Sequence, residues 1–253
     1  QSVIEYAGQM VYGIDSSPKA VKIAKAVNLI AGDGKTNIFE LNSLNSPKWN
    51  EEGKAGFRPL LTKFDNHQDD EKNQSNFENF DFDILMTNPP FAGNISERDI
   101  LKQYRLAEKN GKTINKIGRD ILFVEKNLNF LKPGGRMAIV LPQGRLNNSK
   151  DLFLRNFLFN KAKILGVIGL HANTFRPHTA TKTSVIILQK YTNSEITRIN
   201  EITNKYKSKW EKHLEELKEI IENKKFKENK INESLLFFLK GIFDDLNFNE
   251  DSE

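Results

Sequence analysis

Cysteine is absent from all 253 residues, which excludes disulfides and thiolate metal sites and agrees with a reducing compartment. Long apolar runs are absent as well: nothing approaches the roughly 20 residues that cross a bilayer. The first residues, Gln1-Ser2-Val3-Ile4-Glu5-Tyr6, lack the charged start and apolar core of a secretory signal. No spacing of His, Asp and Glu suggests a metal site, and no Ser-His-Asp set sits on a nucleophile elbow. These gaps lead us to expect a soluble, cytoplasmic protein with neither a membrane nor a metal partner.

What remains is long enough for one α/β domain with an appendage. The formal charge of +5 is unevenly spread. Residues 1–192 carry 27 basic against 19 acidic side chains, and residues 193–253 carry 11 against 14. A basic body suits a polyanion such as DNA. The Lys- and Asn-rich composition would give the same charge without any nucleic-acid role.

Along the chain, Met10–Asp15 reads as a short buried strand that ends in an acid. Ser16 or Ser17 offers an N-cap, Pro18 fits the first helical turn, and Ala20, Ile23, Ala24 and Val27 recur at helical spacing. Gly32-Asp33-Gly34 closes that helix, and residues 37–44 form the next strand with its turn, a βαβ arrangement. Residues 45–80 break the rhythm and read mostly as a solvated surface insertion. A strand at Asp83–Thr87 follows, then a polar stretch over 92–116. Gly118-Arg119-Asp120 starts a helix through Leu131, and Pro133-Gly134-Gly135 turns into a strand over 136–141. A helix over 150–159 leads to strands 164–170 and 183–189. No helix separates those two, so they should pair antiparallel at one edge of an otherwise parallel sheet. From Glu195, Ile199, Tyr206, Trp210, Leu214, Leu217 and Ile221 mark an amphipathic helix, and 235–239 a second short one. The domains expected are a core over 1–192 and a helical tail over 193–253.

The tetrapeptide Asn88-Pro89-Pro90-Phe91, directly after Ile84-Leu85-Met86-Thr87, is the most informative segment. Two prolines force a rigid extended turn at a strand end and remove two backbone donors. That holds the Asn88 carboxamide outside the sheet, with an aromatic plane three residues on. The Asn88 oxygen and the Pro89 carbonyl can each accept one N–H of a planar amine while Phe91 stacks on its ring, which fits adenine. The plainer reading is a strand-ending turn. Open α/β sheets bind ligands at strand carboxyl ends, which favours the functional one.

Asp15 at a strand end matches the carboxylate that holds a ribose diol in Rossmann-type folds, with Ile14 beside it. An Asp before Ser-Ser-Pro is also a helix cap. Asn42 and Ser43, at the next strand end, can face an adenine edge or simply form a turn. Asp120 can point beside Asn88 or cap its helix, and Pro142-Gln143-Gly144 can line a base pocket or merely turn. Residues 171–181 offer Arg176, His178 and Lys182 to phosphates and Phe175 to a base face.

Tyr12-Gly13-Ile14-Asp15, Asn88-Pro89-Pro90-Phe91, Leu131-Lys132-Pro133-Gly134-Gly135-Arg136 and Lys182-Thr183-Ser184-Val185 occur in this order. With them the chain resembles, from about Val11 to Gln189, the modification subunits of type I restriction–modification systems, which are N6-adenine DNA methyltransferases. The resemblance implies a Rossmann-like class I methyltransferase sheet, mostly parallel with an antiparallel last strand, and S-adenosyl-L-methionine as cofactor. It implies that Asp15 binds the cofactor ribose and that Asn88, Pro89 and Phe91 hold a flipped adenine; Ile14, Asn42, Ser43 and Asn88 are the further cofactor candidates, and Pro90 joins the catalytic ones. It also implies DNA, a specificity subunit and a restriction subunit as partners. The family's first strand, its glycine-rich cofactor loop and its N-terminal helical domain have no counterpart here. The chain alone is therefore expected to bind cofactor weakly and to be inactive by itself. Methylation of RNA or of protein glutamine, or an inactive binding remnant, are the rival readings.

Overall fold

The computed structural model of the protein describes residues 3–32 and 37–222. In chain order the elements are α1 (Val3–Met10), β1 (Tyr12–Asp15), α2 (Pro18–Ile30), β2 (Asn37–Glu40), α3 (Glu51–Phe57), α4 (His67–Asn76), β3 (Phe82–Thr87), β4 (Asn94–Ile95), α5 (Arg98–Leu101), β5 (Glu108–Lys109), β6 (Lys112–Thr113), β7 (Ile117–Gly118), α6 (Arg119–Phe130), β8 (Leu131–Pro142), α7 (Gly144–Asn147), α8 (Leu152–Lys161), β9 (Ala162–Gly169), β10 (Thr183–Lys190) and α9 (Asn193–Glu222). Contacts divide the chain into residues 1–191 and a second unit from Thr192 onward, which holds α9.

The βαβ reading of the first forty residues holds. Ser17 caps α2 by accepting from the Ala20 amide at 3.4 Å, Pro18 fills the first turn, and β1 and β2 pair in parallel. Helix α1, which precedes β1 and takes Met10, was not expected. The four-stranded sheet runs β3-β8-β10-β9. Strand β3 is parallel to β8, and β10 lies between β8 and β9, antiparallel to both. Only β10 is reversed, as expected for the last strand.

Leu131 belongs to β8 rather than to the preceding helix, and Pro133-Gly134-Gly135 is a bulge inside that strand. Phe82 pairs with Leu131 and Ile84 with Arg136, so the residues between are extruded, with Gly134 at φ 80°. One sheet face, Leu85, Met137, Ile139, Leu141, Ile186 and Leu188, packs under α6 and α8 as the main core. On the opposite face Ile84 is 71% and Met86 82% exposed.

The surface insertion expected over 45–80 is folded instead. Trp49, Phe57, Phe77 and Phe80 are buried and interlock, with ring centroids 5.1 Å (Trp49–Phe57), 5.7 Å (Phe57–Phe80) and 6.0 Å (Trp49–Phe77) apart. Asn50 and Asn66 cap α3 and α4. Buried Asn73 donates to the carbonyls of Thr62 and Asn79 and accepts from the Asn79 amide at 2.8 Å, closing the segment on itself. The polar stretch over 92–116 likewise contributes buried Ile95, Ile100, Leu101, Tyr104, Leu106 and Ala107. The second short tail helix, at 235–239, lies outside the described residues. Among the described residues no helix is long and apolar enough to cross a membrane.

Candidate active site

Strands β1 and β3 are not hydrogen-bonded to each other, and a cleft of about 990 Å³ opens between them. Its mouth collects strand carboxyl ends: Asp15 and Ser16 after β1, Asn42 and Ser43 after β2, and Asn88, Pro89 and Pro90 after β3. Every residue read as cofactor-binding from the sequence thus lines one cavity, together with three of the four catalytic candidates. Phe91 stands just outside it, half-buried, with its ring 5.1 Å from that of Phe175 and nearly perpendicular to it (76°).

Asn88 is exposed and Pro89 buried. Among the described residues no hydrogen bond engages the Asn88 carboxamide. The chain beyond Phe91 is fastened at once. Gly93, at φ 97°, accepts from the Arg119 amide at 3.1 Å, and β4 pairs with β7 at the head of α6. The tetrapeptide is therefore held between two anchored elements, and its free polar group faces the cleft mouth.

Asp15, an exposed residue, accepts from the Ser17 amide through Oδ1 at 2.7 Å, which orients the carboxylate. Ser17, not Asp15, caps the helix. Asn42 accepts from the Leu44 amide at 3.0 Å, so its Oδ1 forms a turn and its amide nitrogen remains for other use. Glu97 and Arg119 also line the cleft. Backbone amides of Glu97 and Ser96 hold the Glu97 carboxyl below the usual range, with a smaller contribution from Arg119.

Neither reading of Asp120 survives. It is buried and gripped by Arg145, with Nε to Oδ2 at 2.7 Å and Nη2 to Oδ1 at 3.0 Å, while Nη1 of the same arginine reaches Asp151 at 3.2 Å. Pro142-Gln143-Gly144 is not among the residues lining the cleft. Its Gln143 amide instead donates to the Lys182 carbonyl at 2.9 Å, tying the end of β8 to the loop before β10. That loop is braced by its own turns, Asn173 amide to His171 Nδ1 at 3.2 Å and Thr179 amide to Phe175 carbonyl at 3.0 Å. It exposes Arg176, His178 and Lys182.

The residues missed from sequence are Tyr12, Phe82, Phe123, Asn127 and Phe130, which form the deeper cleft. Arg119, Phe123, Asn127 and Phe130 fall on one stripe of α6, a spacing the sequence carries and from which they could have been found.

The N-6 DNA Methylase family matches residues 4–234. Over 114 residues the chain is 31% identical to Defense against restriction protein B of Escherichia phage P1, which covers 45% of this chain and 5% of that protein. Its fold is similar to the modification subunit of a type I restriction enzyme from Vibrio vulnificus, at TM-score 0.54 and 19% identity over 76% of this chain and 35% of that one. It is also similar to a chain from a type I R-M system assembly, at TM-score 0.50 and 21% identity over 71% and 30% of the two chains. The protein spans about a third of those solved chains. With most of its length matched by that family's model, the chain belongs to the N-6 DNA Methylase family.

Proposed function

We propose that these residues are the catalytic core of an S-adenosylmethionine-dependent N6-adenine DNA methyltransferase, of the modification-subunit kind found in type I restriction–modification systems. Residues 1–192 are the catalytic core and 193–253 a helical appendage. The carrying observation is the Asn88 carboxamide, without an internal partner, in the mouth of a cleft that Asp15 and Asn42 also line.

The donor set fits the cofactor. Asp15 Oδ2 is a charged acceptor suited to a ribose hydroxyl, and the Asn42 amide suits a purine edge. When bound, S-adenosylmethionine supplies a methyl group already activated on sulfonium. The residues of this chain then need only position and desolvate an amine. Asn88 Oδ1 and the Pro89 carbonyl accept the two N6 protons of adenine, which draws the nitrogen toward tetrahedral geometry and frees its lone pair for the methyl carbon. The surplus proton of N6 would then pass to water. Phe91, braced by the ring of Phe175, supplies an aromatic wall for the base, and the exposed Arg176, His178 and Lys182 of the loop that carries Phe175 are offered to phosphates. Sequence choice belongs to a specificity subunit, and a restriction subunit completes such systems.

The test is transfer of tritiated methyl groups from S-adenosylmethionine to DNA, RNA and protein, with the chain assayed together with the subunits it assembles with. Label in N6-methyladenine of DNA is the expected product. Label in protein or RNA, with none in DNA, refutes the assignment.

A further inference from the structure

The four-stranded sheet ends on β9, whose outer edge pairs with no strand among the described residues. This edge carries little of what keeps edges apart. Across Ala162–Gly169 there is no proline and a single charge, Lys163, while Ile164, Leu165, Val167 and Ile168 all stand exposed. A long apolar edge of this kind is a template for another strand.

The order of residues along β9 decides which strand fits. Ala162, Ile164, Val167 and Gly169 lie on the core side of the sheet, opposite Lys190, Leu188, Ile186 and Ser184 of β10. Lys163, Gly166 and Ile168 lie on the other side, and Leu165, with no partner on β10, is the extra residue of a bulge. Because of that residue the pattern reads the same from either end. Turned round on itself, β9 sets Ala162 against Gly169, Lys163 against Ile168, Ile164 against Val167 and Leu165 against Gly166. The first three pairs each share a face, as opposed residues of an antiparallel pair must. A regular strand of the same length fails that condition, since its first and last residues point to opposite faces. Leu165 finds room, because a carbon added at Gly166 would meet nothing within 4 Å. No like charges meet: the two Lys163 side chains would stand about 17 Å apart along the pair, beyond a Debye length.

We infer that the outer edge of β9 is an interface for a second copy of this chain, joined by antiparallel β9–β9 pairing about a two-fold axis between Leu165 and Gly166. Such a contact is the same on both copies and closes on itself, so it removes the exposed edge instead of extending it into a fibre. Strand β3 runs parallel to β9, because β10 opposes both β8 and β9 while β8 parallels β3. The pair therefore turns its two cleft mouths toward opposite ends of one joined sheet. This inference stands independently of the methyl-transfer reading, because it concerns the sequence and register of β9 alone.

The chain has no cysteine, so introduced thiols report the register directly. Mixing Ile164→Cys with Val167→Cys brings the two Cα atoms to about 4.5–5.5 Å, within reach of a disulfide. Either residue lies about 10 Å from its own copy, outside that reach. On mild oxidation the mixture should therefore give at least roughly fivefold more linked dimer than either variant alone. Sedimentation equilibrium of the native full chain should show reversible dimers. Val167→Asp should raise their dissociation constant at least roughly tenfold, because a charge on the edge blocks pairing. Val27→Asp, at a comparably exposed position on α2, should leave it unchanged. If a cysteine variant does not fold, the native chain and Val167→Asp still decide; if Val167→Asp does not fold, the cross-link decides. A native chain that stays monomeric at about 100 µM overturns the inference. So does a dimer that survives Val167→Asp, or cross-linking as strong within one cysteine variant as between the two.

Discussion

Arg145 offers the sharpest test of how the head of α6 is held. Its guanidinium meets Asp120 through two bonds, at 2.7 and 3.0 Å, and Asp151 through a third near 3.2 Å. The side chains of Asp120 and Arg145 are 2% and 25% exposed, so the bridge is buried at its acidic end and partly hydrated at its basic end. Burial works against the charge on Arg145, but the hydrogen bond and charge of Asp120, aided by Asp151, outweigh it and hold the proton more firmly than water would. Arg145→Met removes the counter-charge and strands a carboxylate in the interior. Breaking a buried pair in this way costs about 3–5 kcal/mol, and the hydrated arginine end favours the lower figure.

Replacing both partners discriminates between mechanisms. Asp120→Leu with Arg145→Met leaves no charge unpaired except Asp151, so it should cost less than the arginine change alone. Arg145→Lys keeps the charge but loses the two-pronged contact and should fall between native and Arg145→Met. The assay is urea unfolding followed by circular dichroism, with all four proteins at one pH and salt. A loss below about 1 kcal/mol for Arg145→Met would place the bridge among exposed ion pairs and refute the reasoning. So would a double variant whose loss equals or exceeds that of Arg145→Met.

Three further outcomes are expected. Asn88→Ala should slow methyl transfer by roughly 10²-fold or more while cofactor affinity, measured by calorimetry in the assembled enzyme, changes little; unaltered turnover would reduce Asn88 to a turn residue. Gly135→Ala should destabilise by about 1–3 kcal/mol in chemical unfolding, because the added carbon would lie 2.9 Å from the Phe82 carbonyl and 3.0 Å from that of Lys132, both backbone. Burial, opposed by Glu78 and Glu125, pushes Lys126 down to about 7, and burial with Lys161 pushes Lys190 to about 8. A lysine with a lowered folded pKa binds fewer protons folded than unfolded, so stability should rise with pH from about 7 toward 10, by at most about 1.4 kcal/mol per pH unit for each group. Unfolding curves at pH 7, 8 and 9 check this, and Lys126→Met should flatten the lower half of the rise.

The legible parts of the chain were those whose signals are local. Ser17-Pro18 announces a helix start, Thr183–Gln189 carries a strand composition, and Asn88-Pro89-Pro90-Phe91 can hardly be anything but a rigid turn at a strand end. The illegible parts depend on partners distant in sequence. Helix α4, His67–Asn76, has no apolar face to detect and stands on the caps of Asn66 and the bonds of Asn73. The aromatics from Trp49 to Phe80 look scattered along a polar segment and only become a core when α3 and α4 bring them together. Asp120 reads as a pocket residue or a helix cap and Lys126 carries no signal, yet one meets Arg145 and the other donates to Ser46 at 2.7 Å over the ring of Phe130. Nothing near them in sequence identifies these partners.

The same distant contacts decide the geometry of the cleft mouth. No backbone ladder joins β1 to β3, so the spacing between Asp15 and Asn88 depends on side-chain packing and a few isolated backbone bonds, such as Asp81 amide to Leu60 carbonyl at 3.2 Å. Tyr12 and Phe82 touch across the gap, and Phe57 packs against both, at 5.5 and 6.3 Å. Below them Tyr104 donates to the Leu44 carbonyl at 2.9 Å and Lys126 to Ser46, tying the β2 side to α6. Rings and single hydrogen bonds yield more readily than paired strands, because their contacts are not cooperative along a ladder. Substitutions among these rings should therefore alter the distance between Asp15 and Asn88, on which the proposed in-line transfer depends.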